Sequence, residues 1–339
     1  TMKVAIPKER RADERRVAAS PETVKKMIGL GLEVTVEAGA GLAASITDSA
    51  YSEAGATIAK SAKEALTAAQ IVLKVSRPLD KSEGDDEFAL LPKGAVLISG
   101  FDPFRAGAGL NRAAEVGVTA FAMELMPRIT RAQSMDILSS QANLAGYKAV
   151  LDGTEVFTRA FPMMMTAAGK ISPANVFVMG AGVAGLQAIA TARRLGAVVS
   201  ATDVRPAAKE QVESLGAKFI AVEDDEFKQA ETAGGYAKEM SDEDKTKQAA
   251  LGAETLKKQD MVITTALIPG RPAPKLVTEE MVKSMKPGSV IVDLAGDNGG
   301  NCELSEPGSV VRKHGVTILA HRNVPSRLAS DASELFARN

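Results

Sequence analysis

Three glycines, Gly180, Gly182 and Gly185, stand in the spacing GxGxxG, between an apolar run at 175–179 and a helical pattern. In such a motif the first glycine permits a tight turn, the second lets the backbone approach a pyrophosphate, and the third lets helix and strand pack closely. The N-terminus of the helix can then hold the phosphates. The spacing predicts a dinucleotide site that includes Val183, although a glycine-rich turn without a ligand would have the same sequence.

A carboxylate after the next predicted strand supports a dinucleotide site. Asp203 follows the run at 198–202, close to the offset of about 20 residues at which a carboxylate binds a ribose 2′-hydroxyl. Because a carboxylate would repel a 2′-phosphate, Asp203 favours NAD over NADP. Arg205 keeps the NADP alternative open, and we predict that Val204 and Arg205 also contact the cofactor.

Three irregular loops leave the C-terminal ends of later predicted strands. Their sequences are LIPGRPAP, GDNGGNC and HRNVPSR. Ligands bind at this edge of open parallel sheets. We therefore predict that Ala266 and Leu267, where the first loop begins, contact the dinucleotide as well.

Composition excludes several classes of protein. The 339 residues, 45% hydrophobic and 24% charged, are enough for two packed domains. A net charge of −1 provides no basic field for nucleic acid, and a sequence without Trp argues against base-stacking platforms. The single Cys302 forms neither an internal disulfide nor a paired-cysteine metal site, which fits a reducing compartment, and no metal is expected. No apolar run reaches the roughly 18 residues that span a bilayer, so we expect a cytoplasmic chain without direct membrane insertion.

Strand and helix patterns alternate along the chain. The strand-like runs lie at 3–7, 32–37, 71–75, 96–99, 119–122, 175–179, 198–202, 218–222, 261–266, 290–294 and 317–320. This alternation predicts an α/β fold with two Rossmann-like, doubly wound parallel-sheet domains, joined by long helices and separated by a cleft. We assign residues 2–133 plus about 325–339 to an N-terminal domain without a nucleotide fingerprint, and residues 134–324 to the dinucleotide domain.

Two stretches depart from this alternation. Residues 127–161 have the periodicity of one long helix, with Asp136 and Ser139 on a polar line along its first half. Residues 223–252 are polar and contain two adjacent glycines beside Tyr236. That stretch is either a solvated, charged excursion or a mobile lid with Tyr236 as its contact residue.

Groups for acid–base catalysis are scarce. The two histidines, His314 and His321, are interpreted as structural, and Lys74 is either an acid or phosphate partner or simply a solvated strand end. A dehydrogenase that reduces a carbonyl needs a proton donor as well as a hydride. Direct hydride transfer between two nicotinamide rings needs no general acid or base, and it therefore suits this chain.

Longer motifs resemble one protein family. They are MKVAIPKER, ERRVAASPETV, GAGLAASITDSAY, VLKVSRP, MELMPRITRAQSMDILSSQANLAGY, TAAGKISPANVFVMGAGVAGLQAIATARRLGA, ETAGGYAKEM and NVPSR. They closely resemble the NAD(H)-binding component, domain I of the alpha subunit, of the proton-translocating nicotinamide nucleotide transhydrogenases. The related alanine dehydrogenases share the first motifs and the glycine turn, so PRITRAQSMD and ETAGGYAKEM are the specific ones.

The resemblance implies roles for residues outside the glycine motif. Arg128, Asp136 and Ser139 would hold the nicotinamide carboxamide and ring, and Gln133 would bridge toward the second nucleotide. Tyr236 matches the tyrosine of a mobile loop that closes over bound NAD(H) in this family. The resemblance thus implies Gln133, Arg128 and Asp136 as the catalytic residues.

The resemblance also implies partners. NAD(H) would bind on this chain and NADP(H) on a partner domain, which is anchored to a membrane domain that moves protons. The chain would form a homodimer and lie peripherally on the inner face of the bacterial cell membrane, held there by its partner subunits. In this family we expect further C-terminal helix after Asn339.

An alanine dehydrogenase-like amino-acid dehydrogenase is the alternative enzyme. Arg16 and Lys74 match the substrate-binding positions of that family. Its catalytic histidine should follow the strand that here reads VLISGFDPF, and no histidine is present there. A non-catalytic NAD-binding module is the third hypothesis.

Overall fold

The computed structural model of the chain describes residues 1–105, 107–230 and 239–339. These residues form two compact units. The first unit comprises Thr1–Gln141 and Pro325–Asn339, and the second comprises Ala142–Val324. The predicted α/β fold with two parallel sheets is confirmed, because each unit has its own sheet.

Across the described part of the first unit, six parallel strands form one sheet in the order β3-β2-β1-β4-β5-β6. This is the order of a doubly wound dinucleotide fold. The strands are β1 Lys3–Ile6, β2 Glu33–Glu37, β3 Thr57–Ala59, β4 Ile71–Ser76, β5 Val96–Gly100 and β6 Thr119–Ala122. The helices up to the end of this segment are α1 Pro21–Gly29, α2 Asp48–Glu53, α3 Ala62–Leu66, α4 Gly107–Val116 and α5 Ile137–Val156, which continues into the second unit.

The second unit has a larger sheet in the order β11-β10-β9-β12-β13-β15-β14, in which only β14 runs antiparallel among the described strands. Its strands are β9 Asn175–Met179, β10 Val198–Thr202, β11 Lys218–Phe219, β12 Met261–Thr264, β13 Val290–Asp293, β14 Val310–Lys313 and β15 Val316–Leu319, after a separate hairpin of β7 Met164–Thr166 and β8 Gly169–Ile171. Its helices are α6 Val183–Arg194, α7 Ala208–Ser214, α8 Asp225–Lys228, α9 Asp242–Leu256 and α10 Glu279–Ser284, and α11 Ala329–Arg338 then returns to the first unit. Every residue of β12 and β13 is buried, as expected of central parallel strands covered on both faces.

The prediction of one long helix over 127–161 is wrong at both ends. A 3₁₀ helix occupies Thr130–Met135, Asp136 is extended, and α5 begins only at Ile137. The Asp136 side chain accepts the Ser139 backbone N–H at 3.0 Å, so it caps α5 and stops the helix from continuing toward the N-terminus. Apolar periodicity does not report such a break, because a 3₁₀ turn keeps nearly the same spacing.

The interpretation of 223–252 as one long polar loop is also wrong for its second half. Helix α9 begins at Asp242, where the Ser241 side chain accepts the Asp244 backbone N–H at 3.1 Å and three acidic residues occupy the first turn. Acidic side chains there favour a helix N-terminus. Three short or edge elements, namely β3, the β7–β8 hairpin and β14, were not predicted from the sequence.

Candidate functional site

The glycine motif forms the turn between β9 and α6, as the spacing predicts. Gly180 has φ +106°, a left-handed conformation that L side chains rarely adopt. Gly182 is the N-cap residue of α6, and among the described residues no side chain caps this helix end. The first backbone N–H groups of α6 are therefore available to an anion.

The other two glycines serve different purposes. A Cβ on Gly185 would lie 1.8 Å from the Gly180 carbonyl oxygen, so only glycine lets the helix pack against the turn. Above Gly182 the space is open, because the nearest atom to its virtual Cβ is Arg205 Nη2 at 4.0 Å. The turn thus fits the backbone approach of a pyrophosphate group.

Asp203 follows β10, the neighbour of β9, and its side chain is largely buried. Its Oδ2 accepts the Ala181 backbone N–H at 2.7 Å, and its Oδ1 accepts the Arg205 backbone N–H at 2.8 Å. Arg205 Nε and Nη2 donate to the same carboxylate at 3.0 and 3.2 Å. The predicted ribose-binding carboxylate therefore also braces the glycine turn, and an arginine partly neutralises it.

The loop after β12 completes this edge of the sheet. Ala266 is half-buried there, while Leu267 is 52% exposed, and Val204 is exposed beside Asp203 in sequence. Thr265 Oγ1 donates to the Gly180 carbonyl at 2.9 Å, which links the loop to the glycine turn. Sequence reasoning missed Thr265, because a threonine at a strand end has no signature of its own.

The first unit holds the cluster implied by the family resemblance. Asp136 Oδ2 accepts the Ser139 hydroxyl at 2.7 Å, and Arg128 Nη1 lies 3.9 Å from the same oxygen. Burial raises the pKa of Asp136, but the hydrogen bonds from Ser139 and the charge of Arg128 outweigh this effect, so its pKa is lowered. The carboxylate is ionised at neutral pH and has one structural role already, as the cap of α5.

The remaining predicted residues are placed as follows. Gln133 lies in the 3₁₀ helix and is exposed, so its side-chain amide faces solvent in the chain alone. Tyr236 lies outside the described residues, as do the adjacent glycines of its motif. Val183 is the first residue of α6.

A buried ionic network lies at the C-terminal end of β4 in the first unit. Lys74 Nζ contacts Glu9 Oε2 at 3.0 Å, and both side chains are at most 4% exposed. Arg16 Nη2 contacts Glu14 Oε1 at 2.7 Å and Arg16 Nη1 donates to Gln141 Oε1 at 2.9 Å. Lys74 is thus a buried ion-pair partner, and the alternative of a solvated strand end is wrong.

Burial raises the pKa of Glu14, but hydrogen bonds and the charge of Arg16 outweigh it and lower the pKa to about 2. Glu9 shifts the other way, because burial raises its pKa by more than Lys74 lowers it. Both Arg16 and Lys74 therefore already have a buried carboxylate partner.

With this geometry established, the chain can be compared with known proteins. Residues 5–145 match the alanine dehydrogenase/PNT N-terminal domain, and residues 149–339 match the alanine dehydrogenase/PNT C-terminal domain. The chain belongs to the alanine dehydrogenase/PNT family.

Within this family the chain is similar to transhydrogenase alpha subunits. It is 64% identical over 338 residues to an NAD(P) transhydrogenase alpha subunit of Rhodospirillum rubrum, in a match that covers 100% of this chain and 88% of that protein. A solved transhydrogenase structure from Sinorhizobium meliloti superposes with a TM-score of 0.90 at 58% identity, over 99% of this chain and 90% of that one. Alanine dehydrogenase of Methanococcus maripaludis is more distant, at 32% identity over 97% of this chain and 82% of that protein. The predicted resemblance is confirmed.

No helix in residues 1–105, 107–230 and 239–339 is long and apolar enough to cross a membrane.

Proposed function

We propose that this chain is the NAD(H)-binding subunit of a proton-translocating NAD(P) transhydrogenase, and that hydride passes directly between its NAD(H) and NADP(H) held on a partner domain. The observation that carries the proposal is the glycine turn with its open face over Gly182 and the carboxylate of Asp203 beside it. The 64% identity to a transhydrogenase alpha subunit supports the reaction type.

In the proposed site each residue of the chain has a defined task. The N-terminus of α6 binds the pyrophosphate, and Asp203 accepts hydrogen bonds from a ribose. Arg128, Asp136 and Ser139 hold the nicotinamide carboxamide and ring, and Gln133 orients the ring toward the second nucleotide. Bound NAD(H) supplies or receives the hydride, so these residues need only position and exclude water.

The partners follow from the same proposal. The chain acts as a homodimer with an NADP(H)-binding domain and a membrane domain that translocates protons, and it lies peripherally on the inner face of the bacterial cell membrane through these subunits. The Rhodospirillum rubrum relative is named as one subunit of its transhydrogenase, which supports an assembly from several subunits.

Two observations argue against an amino-acid dehydrogenase. Arg16 and Lys74, which match the substrate-binding positions of alanine dehydrogenases, are each paired with a buried glutamate. Their charge is therefore less available to a substrate carboxylate than that of an unpaired cation. In addition, the segment that follows β5 contains no histidine to donate a proton.

The experiment measures reduction of an NAD⁺ analogue by NADPH, with the full chain alone and with its NADP(H)-binding partner. We expect NADH to quench or enhance fluorescence in a saturable titration of the chain alone, and transfer to start only when the partner is added. Robust turnover of pyruvate and ammonia by the chain alone would instead support the amino-acid dehydrogenase.

A further inference from the structure

Asn301 is a buried side chain to which the function above assigns no role. It follows β13 and has no solvent exposure. Its Nδ2 donates to the carbonyl oxygens of Ala266 at 2.8 Å and Pro274 at 2.9 Å, and its Oδ1 accepts the Ala266 backbone N–H at 3.1 Å. One amide thus pairs with both backbone polar groups of Ala266 and with the far end of the same loop.

The loop held in this way has few means of its own to keep a shape. Between Ala266 and Pro274 it contains three prolines, which have no backbone N–H to donate. The Arg271 N–H donates within the loop, to the Ile268 carbonyl, and the Ala273 N–H donates outside it, to Asn298. Asn301 therefore supplies bonds that a loop of this composition lacks.

Asn301 is in turn fixed by Asp293, the last residue of β13. Asp293 Oδ2 accepts the backbone N–H of Asn301 at 2.8 Å and of Cys302 at 3.0 Å, and the Ser305 hydroxyl at 2.6 Å. Asp293 is itself buried. The amide is thus held by a rigid anchor at the end of a central strand.

On its other side the loop is tied to the glycine turn. The Thr265 hydroxyl donates to the Gly180 carbonyl at 2.9 Å, and the Thr265 backbone N–H donates to the Met179 carbonyl at 2.9 Å. The turns after β9, β12 and β13, three neighbouring strands, are therefore connected by side chains from Asp293 through Asn301 and Ala266 to Gly180.

We propose that Asn301 is a positioning residue for NAD(H): it fixes the backbone at Ala266, so that this residue and Leu267 meet the dinucleotide in a single conformation. The inference rests on the proposed function, in which Ala266 and Leu267 contact the cofactor. Binding groups held by a rigid supporting shell bind more tightly, because less conformational freedom is lost when the ligand arrives.

The test compares Asn301→Ala with Ser289→Ala in the full chain. Ser289 is also buried and donates to the carbonyls of Gln259 and Lys286, but it precedes β13, at the opposite edge of the same sheet. At a temperature where all proteins are folded by circular dichroism, Asn301→Ala should bind NADH about tenfold more weakly, the equivalent of roughly one hydrogen bond. Ser289→Ala should stay within about twofold of the unsubstituted chain. Equal affinities for Asn301→Ala and the unsubstituted chain, or equal losses in both variants, would overturn the inference.

A second variant keeps the test decisive if Asn301→Ala does not fold. Asn301→Asp is isosteric, but an ionised carboxylate cannot donate to the carbonyls of Ala266 and Pro274, whereas a protonated one donates to one of them. The ratio of its NADH affinity to that of the unsubstituted chain should rise as pH falls, and a ratio that does not change with pH contradicts the inference. If the unsubstituted chain does not bind NADH, the proposed function itself fails, and the two outcomes are thereby distinguished.

Discussion

The carboxylate of Asp203 accepts the backbone N–H of Ala181 at 2.7 Å, which ties the end of β10 to the glycine turn after β9. Arg205 pairs with the other face of the same carboxylate. The residue expected to recognise a ribose is thus also part of the turn that recognises the pyrophosphate. Its charge and its hydrogen-bonding geometry can be separated by substitution.

Asp203→Asn removes the charge and leaves a side-chain oxygen to accept the Ala181 N–H, whereas Asp203→Ala removes both. We expect both variants to discriminate less against NADPH, because the repulsion of a 2′-phosphate is lost and Arg205 becomes available to it. NADH affinity should fall about tenfold or more in Asp203→Ala and less in Asp203→Asn. Fluorescence titrations with NADH and NADPH measure both quantities, and unchanged selectivity in both variants would assign selectivity to another residue.

Gly185→Ala tests the close approach of α6 to the turn. The added Cβ would lie 1.8 Å from the Gly180 carbonyl oxygen, so the turn must shift. We expect a destabilisation of about 3 kcal/mol and loss of measurable NADH binding. The matched control is Gly252→Ala in α9, where a Cβ meets nothing within 4 Å and should stabilise the helix by about 0.5 kcal/mol or more. Chemical denaturation compares the two, and a neutral Gly185→Ala would contradict the packing argument.

Asp136 has both a structural and a proposed binding role. Asn caps helices about as well as Asp, so Asp136→Asn should keep the stability of α5, whereas Asp136→Ala should cost about 1 kcal/mol. If the charge also orients the nicotinamide with Arg128, Asp136→Asn should still lower the rate of hydride transfer in the presence of the partner. Thermal unfolding and stopped-flow transfer rates separate the roles, and a normal rate in Asp136→Asn would leave only the capping role.

Gln133→Asn should slow hydride transfer far more than it weakens NADH binding. The side chain is exposed in the chain alone, and its proposed role is to orient two rings, which affects the reaction geometry rather than ground-state affinity. Single-turnover transfer with the partner domain and NADH titration without it give the two values. Equal losses in both would count against orientation.

Acid should destabilise the first unit through Glu14. Its pKa falls from 4.5 to about 2 on folding, so between these values the unfolded chain binds a proton that the folded chain does not. The stabilisation, about 3 kcal/mol, is therefore present above pH 4.5 and is lost as the pH falls toward 2. The raised pKa of Glu9 acts in the opposite direction, so the measurement is the difference between the unsubstituted chain and Glu14→Gln. This difference should shrink on acidification, and a difference independent of pH would refute the assignment.

Local patterns were sufficient for much of the fold. The predicted first strand of each sheet agrees with β1 and β9 to within one residue, because buried strands of a parallel sheet are continuous apolar runs between turns. Elements whose stability depends on their surroundings were missed or misplaced. The hairpin of β7 and β8 is wholly exposed, and the start of α5 depends on one capping side chain.

The candidate site divides in the same way. The glycine motif and Asp203 were predicted because a dinucleotide turn is specified by residues close in sequence, and a family resemblance added Arg128, Gln133 and Asp136. Their spacing says nothing of Arg205 on the Asp203 carboxylate or of the cap that Asp136 provides. These contacts depend on rotamers, which are chosen by the neighbouring backbone.

The sequence by itself determined that this protein has two α/β units, a dinucleotide turn and no histidine placed to protonate a substrate. Only the tertiary structure decided which residues support that turn. Thr265 reaches Gly180 across 85 positions and Asn301 reaches Ala266 across 35, because parallel strands far apart in sequence end at one edge of a sheet. The pairing of Lys74 with Glu9 was decided in the same way, since burial excludes water and leaves each charge to be stabilised by the other.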